Sequence, residues 1–205
     1  MDDLALLTLR AAPGSLLAGH GAQKVFGAFE GPGPEGTRGF MQAMRMRPPE
    51  IWAHLAGLTE LVGGGLTALG ALSPIGPLMS IGPMVIATTT AHWGKPIWAT
   101  RGGAELPVVN MSIFAALAMT GPGRYSIDGI FGIRLPRWVT AATIGGVASG
   151  TVVALVTREP AAPPAPAYQP TPEEAMAAAA AASDEREVEL QATRHRREVE
   201  AERPA

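Results

Sequence analysis

Residues 16–26, LLAGHGAQKVF, close the first long apolar run of the chain and decide how the rest of it is interpreted. His20 and Lys24 interrupt residues that otherwise suit lipid, and they lie one helical turn apart, so they face the same way. Ionisable side chains are costly inside a bilayer and usually face protein or water there. The stretch therefore predicts a membrane helix with a polar end, around which further helices pack.

Most of the remaining chain is also apolar. Hydrophobic residues make up 47% of the sequence and charged residues 17%, and much of that charge follows Arg158. A helix needs about 20 residues to cross the hydrocarbon core of a membrane. Five segments come close to this length, which predicts an all-α, polytopic membrane helix bundle: Leu4–Phe29, Ile51–Leu72, Ile75–His92, Leu106–Thr120 and Trp138–Thr157.

A shorter element is predicted between the first two spans. The turn-rich residues 31–36 are followed by Thr37–Met46, where apolar side chains share one helical face and arginines surround it. This pattern is typical of a helix that lies in the membrane interface.

Ionisable residues within or beside the predicted spans form the candidate intramembrane polar site, and their catalytic role is unknown. They are Arg10, His20, Lys24, His54, Glu60, His92 and Glu105. Glu60 is the most informative, because it lies near the middle of its helix and cannot reach the interface. An antiparallel second helix would bring Glu60 toward the middle of the first helix, which predicts an ion pair with Arg10 or Lys24.

Two glycines in the fifth span, Gly146 and Gly150, have the spacing that lets two helices approach closely, and they are the candidate helix-packing residues. After Arg158 the composition changes to a Pro/Ala linker and a charged, partly helical or disordered tail. Within it, Thr171 and Glu174 have the spacing of a helix capping box.

Several function classes are excluded. The chain has no cysteine, so it has neither disulfides nor thiolate metal sites. No pair of histidines or carboxylates has the spacing of a local metal site, and no metal is predicted. The net charge of -2 includes no large basic block, so nucleic acid is not an expected partner.

The chain resembles the DoxX family of small bacterial and archaeal membrane proteins over about residues 4–130. The resemblance is carried by short motifs, namely Arg10, His20-Gly21 and Lys24 with Phe26-Gly27, Glu60-Leu61-Val62-Gly63-Gly64, His92-Trp93, Gly102-Gly103-Ala104-Glu105-Leu106-Pro107, and Thr120 to Asp128. The resemblance implies a four-helix membrane core over residues 1–130. Residues 131–158 would add a fifth transmembrane helix, and residues 159–205 the linker and tail. Ala104 and Leu106 stand where the family usually has aromatic residues, which argues against ring stacking at that position.

The resemblance also implies a function, since members of the family include subunits of thiosulfate:quinone oxidoreductase. The leading hypothesis is a quinone-linked redox subunit, or the membrane anchor of a redox or oxidative-stress complex. Its quinone would bind near Lys24, His20, Glu60 and Glu105, and a soluble redox partner would supply electrons. The alternatives are a membrane scaffold that recruits a soluble partner through its tail, and a small-solute carrier built on an interrupted third helix.

The surroundings follow from the same reasoning. The expected location is the bacterial inner membrane, with the lipid bilayer as the main partner and with homo- or hetero-oligomers expected. An excess of Lys and Arg on one side predicts a cytoplasmic tail.

Overall fold

The computed structural model describes residues 3–160 and, in the tail, residues 171, 173–174, 176–177, 181–182, 184–186 and 192. The chain divides into two compact units, Met1–Pro160 and Ala161–Ala205. In the second unit the predicted capping box is confirmed. The Thr171 backbone nitrogen donates to Glu174 Oε2 at 2.8 Å, and the Glu174 nitrogen donates to Thr171 Oγ1 at 3.2 Å. Most of the predicted Pro/Ala linker lies outside the described residues.

The first unit is all-helical over its described residues. Its helices are α1 Asp3–Phe26, α2 Gly33–Ala43, α3 Pro49–Leu69, α4 Ile75–Thr90, α5 Glu105–Thr120, α6 Ile127–Phe131 and α7 Arg137–Val156. Short 3-10 helices cover Ala28–Glu30 and Ala99–Arg101. The five predicted apolar segments correspond to α1, α3, α4, α5 and α7, so the predicted helix bundle is confirmed.

Proline and glycine set the helix boundaries. Pro48 is the N-cap of α3 and Pro49 is its first residue, a position where the missing N–H of proline costs nothing. Gly70 ends α3 in a left-handed conformation, with φ of 63°. The predicted short helix is α2, which begins at Gly33 rather than at Thr37.

Four helices form a closed ring, in which α1 contacts α3, α3 contacts α4, α4 contacts α5, and α5 contacts α1. Helix α7 packs against the outside of α4, and α2 lies across α1 and α3. Consecutive long helices run antiparallel. The C-terminal ends of α1, α4 and α7 therefore lie beside α2, and we call this side of the bundle the α2 end. The α3–α4 turn and α6 lie at the opposite end, the α6 end.

The contact between α1 and α3 is built on glycine. A Cβ atom at Gly14 would lie 2.6 Å from the Ala68 backbone nitrogen, and one at Gly21 would lie 2.2 Å from the Leu61 nitrogen. Gly57 and Gly64 on α3 approach α1 in the same antiparallel register. Glycines seven residues apart on each helix thus form one seam, along which the two backbones touch.

Many large apolar side chains lie on the outside of the bundle, and several polar or charged ones lie inside it. Leu16 is 69% exposed, for example, and Leu69 is 56% exposed. The buried polar residues are Arg10, Thr37, Glu60, Thr67, Ser80, Ser126 and Asp128. Buried charged side chains together with so many exposed large apolar ones are unusual for a protein surrounded by water.

Length and composition alone single out one candidate membrane span. Among the described residues, α7 is the one helix that is both long and apolar enough to cross a membrane. Helices α4 and α5 are apolar but have 16 residues each. The prediction of several spans therefore stays a prediction.

Candidate functional site

The ion pair expected for Glu60 is formed with Lys24. Lys24 Nζ donates to Glu60 Oε2, and this carboxylate belongs to a residue that is only 5% exposed. The glycine seam decides the choice of partner. Its register places Glu60 level with Ala22, near the end of α1, so the prediction that Glu60 lies beside the middle of α1 was wrong. Arg10 lies more than two turns away along α1.

The Lys24–Glu60 pair lies in the wall of a cavity of about 370 Å³. The rest of the wall comes from α2, α3, α4, α7, the α2–α3 turn and the start of the α4–α5 loop, and it is mainly apolar. It consists of Phe40, Met41, Met44, Met46, Trp52, Leu55, Ala56, Thr59, Met79, Gly82, Pro83, Ile86, Ala87, Ala91, His92, Gly146, Val147, Gly150 and Thr151. Phe40 and Leu55 are about half exposed, and Gly146 and Gly150 are also exposed, so the cavity opens to the outside of the bundle.

His92 is the third ionisable residue in the cavity wall. Its Nδ1 lies 2.7 Å from the carbonyl oxygen of Gly102. Because a carbonyl oxygen only accepts hydrogen bonds, Nδ1 carries the proton, and Nε2 is left as an acceptor in the neutral ring. The cavity thus combines a cation, a carboxylate and an imidazole with apolar walls.

Glu105 does not line the cavity, but it stabilises the α4–α5 loop at the α2 end of the bundle. Its carboxylate accepts a hydrogen bond from the Ala99 backbone nitrogen at 2.8 Å, and its own nitrogen donates to the Ile97 carbonyl. These bonds fold the α4–α5 loop, which also supplies the Gly102 carbonyl that holds His92.

Arg10 lies at the other end of α1, toward the α6 end, and is 3% exposed. Its guanidinium donates to the carbonyl oxygens of Ala68, Pro122 and Tyr125. The side chain therefore joins the last turn of α3 to the α5–α6 loop, where the negative end of the α3 dipole favours a cation. Its position indicates a structural role.

His20 and His54 are both exposed and do not join the cavity. His20 Nδ1 lies 3.0 Å from Gln23 Oε1, and His54 Nδ1 lies 2.7 Å from the Glu50 carbonyl. Of the seven residues in the predicted polar site, the fold brings together Lys24, Glu60 and His92.

Gly146 and Gly150 line the cavity. A Cβ atom at either position would meet no atom within 4 Å, so neither glycine makes a close helix contact with the described part of the chain. The neighbouring residues Val147 and Thr151 make that contact with Gly82 of α4. A helix-packing role for the two glycines between chains stays a prediction.

The end of α7 is fixed beside the cavity. Arg158 Nε donates to the Met44 carbonyl at 2.8 Å, and the Glu159 nitrogen donates to the Arg45 carbonyl at 2.9 Å. Arg47 Nε lies 2.8 Å from Glu159 Oε1, and the hydrogen bond that Arg47 donates to this carboxylate, together with the carboxylate's charge, raises the pKa of Arg47. We call these three contacts the α7 latch.

Two structural features escaped the sequence reasoning. One is Asp128, which is 5% exposed and accepts hydrogen bonds from the backbone nitrogens of Leu72 and Ser73 at 2.8 and 2.7 Å. The other is the glycine seam, although its spacing of seven in both helices is visible in the sequence.

A helical bundle that exposes its apolar side chains and encloses an ion pair has the build of a membrane protein. The DoxX family model matches residues 5–93, so this part of the chain is similar to the DoxX family of membrane proteins. The match covers α1 to α4 and ends at Trp93, so α5, α6 and α7 lie outside it. No curated protein and no solved structure matches the chain.

Proposed function

We propose that this chain is a multi-pass protein of the bacterial inner membrane and binds a quinone in the cavity beside Lys24 and Glu60. The observation that carries the proposal is the cavity itself. Its volume of about 370 Å³ lies in the range of small-molecule sites, and its mainly apolar wall contains a few polar groups.

The outward apolar surface supports several membrane crossings. Burying Arg10 and Asp128 while exposing residues such as Leu16 and Leu69 is unfavourable in water, but it suits a bundle surrounded by acyl chains. Helices α1 and α3 contain ionisable residues that lower their mean hydropathy. The fold pairs these residues or turns them toward the helix ends, so the cost of the charge in lipid is reduced.

The charge distribution supports a cytoplasmic α2 end. Six basic residues lie in the loops and helix ends there, namely Arg38, Arg45, Arg47, Lys95, Arg101 and Arg158, whereas Arg124, Arg134 and Arg137 lie near the α6 end. Under the positive-inside rule the α2 end faces the cytoplasm. Since α7 ends there, the tail starts on the cytoplasmic side.

The three ionisable side chains of the cavity suit the head group of a quinone. The Lys24 ammonium can donate a hydrogen bond to a quinone carbonyl oxygen, and the Glu60 carboxylate can accept one from a quinol hydroxyl. Conversion of quinone to quinol takes up two electrons and two protons. A partner protein would supply the electrons from its own carrier, and Glu60 and His92 would pass protons to the ring oxygens.

Binding of ubiquinone-1 to the purified full-length chain in lipid nanodiscs tests the proposal. Titration calorimetry should give saturable binding that weakens about tenfold, equivalent to about 1.4 kcal/mol, in the neutral double variant Lys24→Met with Glu60→Gln. The double variant is used because it leaves no unpaired charge in the bundle. The matched control is His20→Gln, on the same helix but outside the cavity, which should bind as the wild type does.

Two results would count against the proposal. One is a wild-type chain that does not bind ubiquinone-1. The other is a double variant that keeps its helical content and thermal midpoint and binds with unchanged affinity.

The scaffold hypothesis is a second candidate, favoured by the division of the chain into two compact units, of which the second is Ala161–Ala205. Deleting these residues should abolish a larger membrane complex on native gels and leave quinone binding unchanged. The carrier hypothesis depends on an interrupted third apolar helix. Because α4 is continuous from Ile75 to Thr90, no observation favours it.

A further inference from the structure

Helix α7 contributes to the cavity although it lies outside the segment that the family model matches. Four of its residues line the cavity, and they fall on one helical face: Gly146, Val147, Gly150 and Thr151. We infer that this face of α7 sets which head groups fit the cavity, with Gly146 and Gly150 as specificity-determining residues. The inference rests on the proposed function, because it assumes that a quinone ring is the occupant.

The position of this wall is fixed at two levels. In its middle, Val147 and Thr151 contact α4, where a Cβ atom at Gly82 would lie 3.2 Å from Val147 Cγ1 and 3.6 Å from Thr151 Oγ1. At its end, the α7 latch attaches Arg158 and Glu159 to the α2–α3 turn. Because Met44 both accepts the bond from Arg158 and lines the cavity, the latch holds α7 directly to another wall residue.

The two glycines leave open space in this fixed wall. A Cβ atom at Gly146 or Gly150 would meet nothing within 4 Å, although their neighbours Val147 and Thr151 are in contact with α4. Bare backbone at both positions, one turn apart, gives a flat surface that a planar ring can approach closely. The Lys24–Glu60 pair lies in the wall of the same cavity, so a ring on this surface has polar partners available for its oxygens.

The two glycines therefore affect binding because they have no side chain. A branched side chain at either position would fit the fold without a clash, but it would occupy space needed by the ring. Gly145 is the natural comparison, since a Cβ atom there also meets nothing within 4 Å but the residue does not line the cavity.

The test compares Gly146→Val, Gly150→Val and the control Gly145→Val in the full-length chain in nanodiscs. Valine is chosen because its side chain is stiff and cannot turn away from the cavity. All three changes replace glycine by valine in the same helix, so their effect on helix stability should be similar. The probe is ubiquinone-1, and the thermal midpoint of each variant is measured alongside.

We expect Gly146→Val and Gly150→Val to weaken binding by about tenfold or more, and Gly145→Val to leave the dissociation constant unchanged. Equal affinities of all three variants and the wild type would overturn the inference and leave quinone binding intact. An equal loss of affinity in all three would also overturn it, because the effect would then belong to α7 as a whole. Absence of binding by the wild type would instead remove the proposed function and, with it, the inference.

Discussion

The glycine seam between α1 and α3 makes the sharpest prediction, which concerns Gly21→Ala. The added methyl group would lie 2.2 Å from the Leu61 nitrogen and 2.5 Å from its Cα atom. These are backbone atoms, so no side-chain rotation relieves the contact. Reaching an ordinary contact of 3.4 Å requires the helices to separate locally by about 1.2 Å.

Overpacking of this kind costs about 1–3 kcal/mol. We expect the free energy of unfolding of Gly21→Ala, measured by denaturant titration in mixed micelles, to fall by that amount. The Lys24–Glu60 pair should also be disturbed, because both of its residues lie on the separated helices one turn or less from the new methyl group. Because this pair lines the cavity, binding of ubiquinone-1 should weaken when the pair is disturbed.

The control is Gly19→Ala, two residues away on the same helix. A Cβ atom at Gly19 would meet nothing within 4 Å. Since alanine is the better helix former, this variant should be unchanged or more stable by up to about 1 kcal/mol. If Gly21→Ala proves as stable as Gly19→Ala, the two helices do not touch along this seam and the reasoning is refuted.

Three further predictions concern buried polar groups, and each is checked by the same unfolding measurement. Lys24→Met and Glu60→Gln should each destabilise by about 3–5 kcal/mol, and the double variant by clearly less, since removing one partner leaves an unpaired charge. A double-mutant cycle with no coupling would contradict this. Arg10→Lys should lower the free energy of unfolding by about 2 kcal/mol, because an ammonium group cannot keep the forked contact with three carbonyl oxygens. A variant as stable as the wild type would show that these three hydrogen bonds do not stabilise the fold. Asp128→Asn should cost about 1–3 kcal/mol, because one of its two acceptor oxygens is lost; a variant as stable as the wild type would show that these bonds contribute nothing.

Much of the fold follows from the sequence alone. Apolar length, proline and glycine specified five long helices and the helix now seen as α2, because these signals act over a few residues at a time. The capping box at Thr171 and Glu174 was predictable for the same reason. The ion pair of Glu60 with a basic residue of α1 was also predictable, since an unpaired carboxylate deep in an apolar helix is unfavourable.

The identity of that partner was decided by tertiary structure. Arg10 and Lys24 are both basic residues of α1, and the sequence does not fix how far α3 slides along it. Steric contact at Gly14, Gly21 and Gly64 allows one register, which puts Glu60 beside Lys24 and sends Arg10 to the carbonyls at the α6 end. The cavity was likewise invisible in the sequence. It arises from five helices, α1, α2, α3, α4 and α7, and from the residues that follow α2 and α4. The shape of a space between helices depends on their packing, which no single segment encodes.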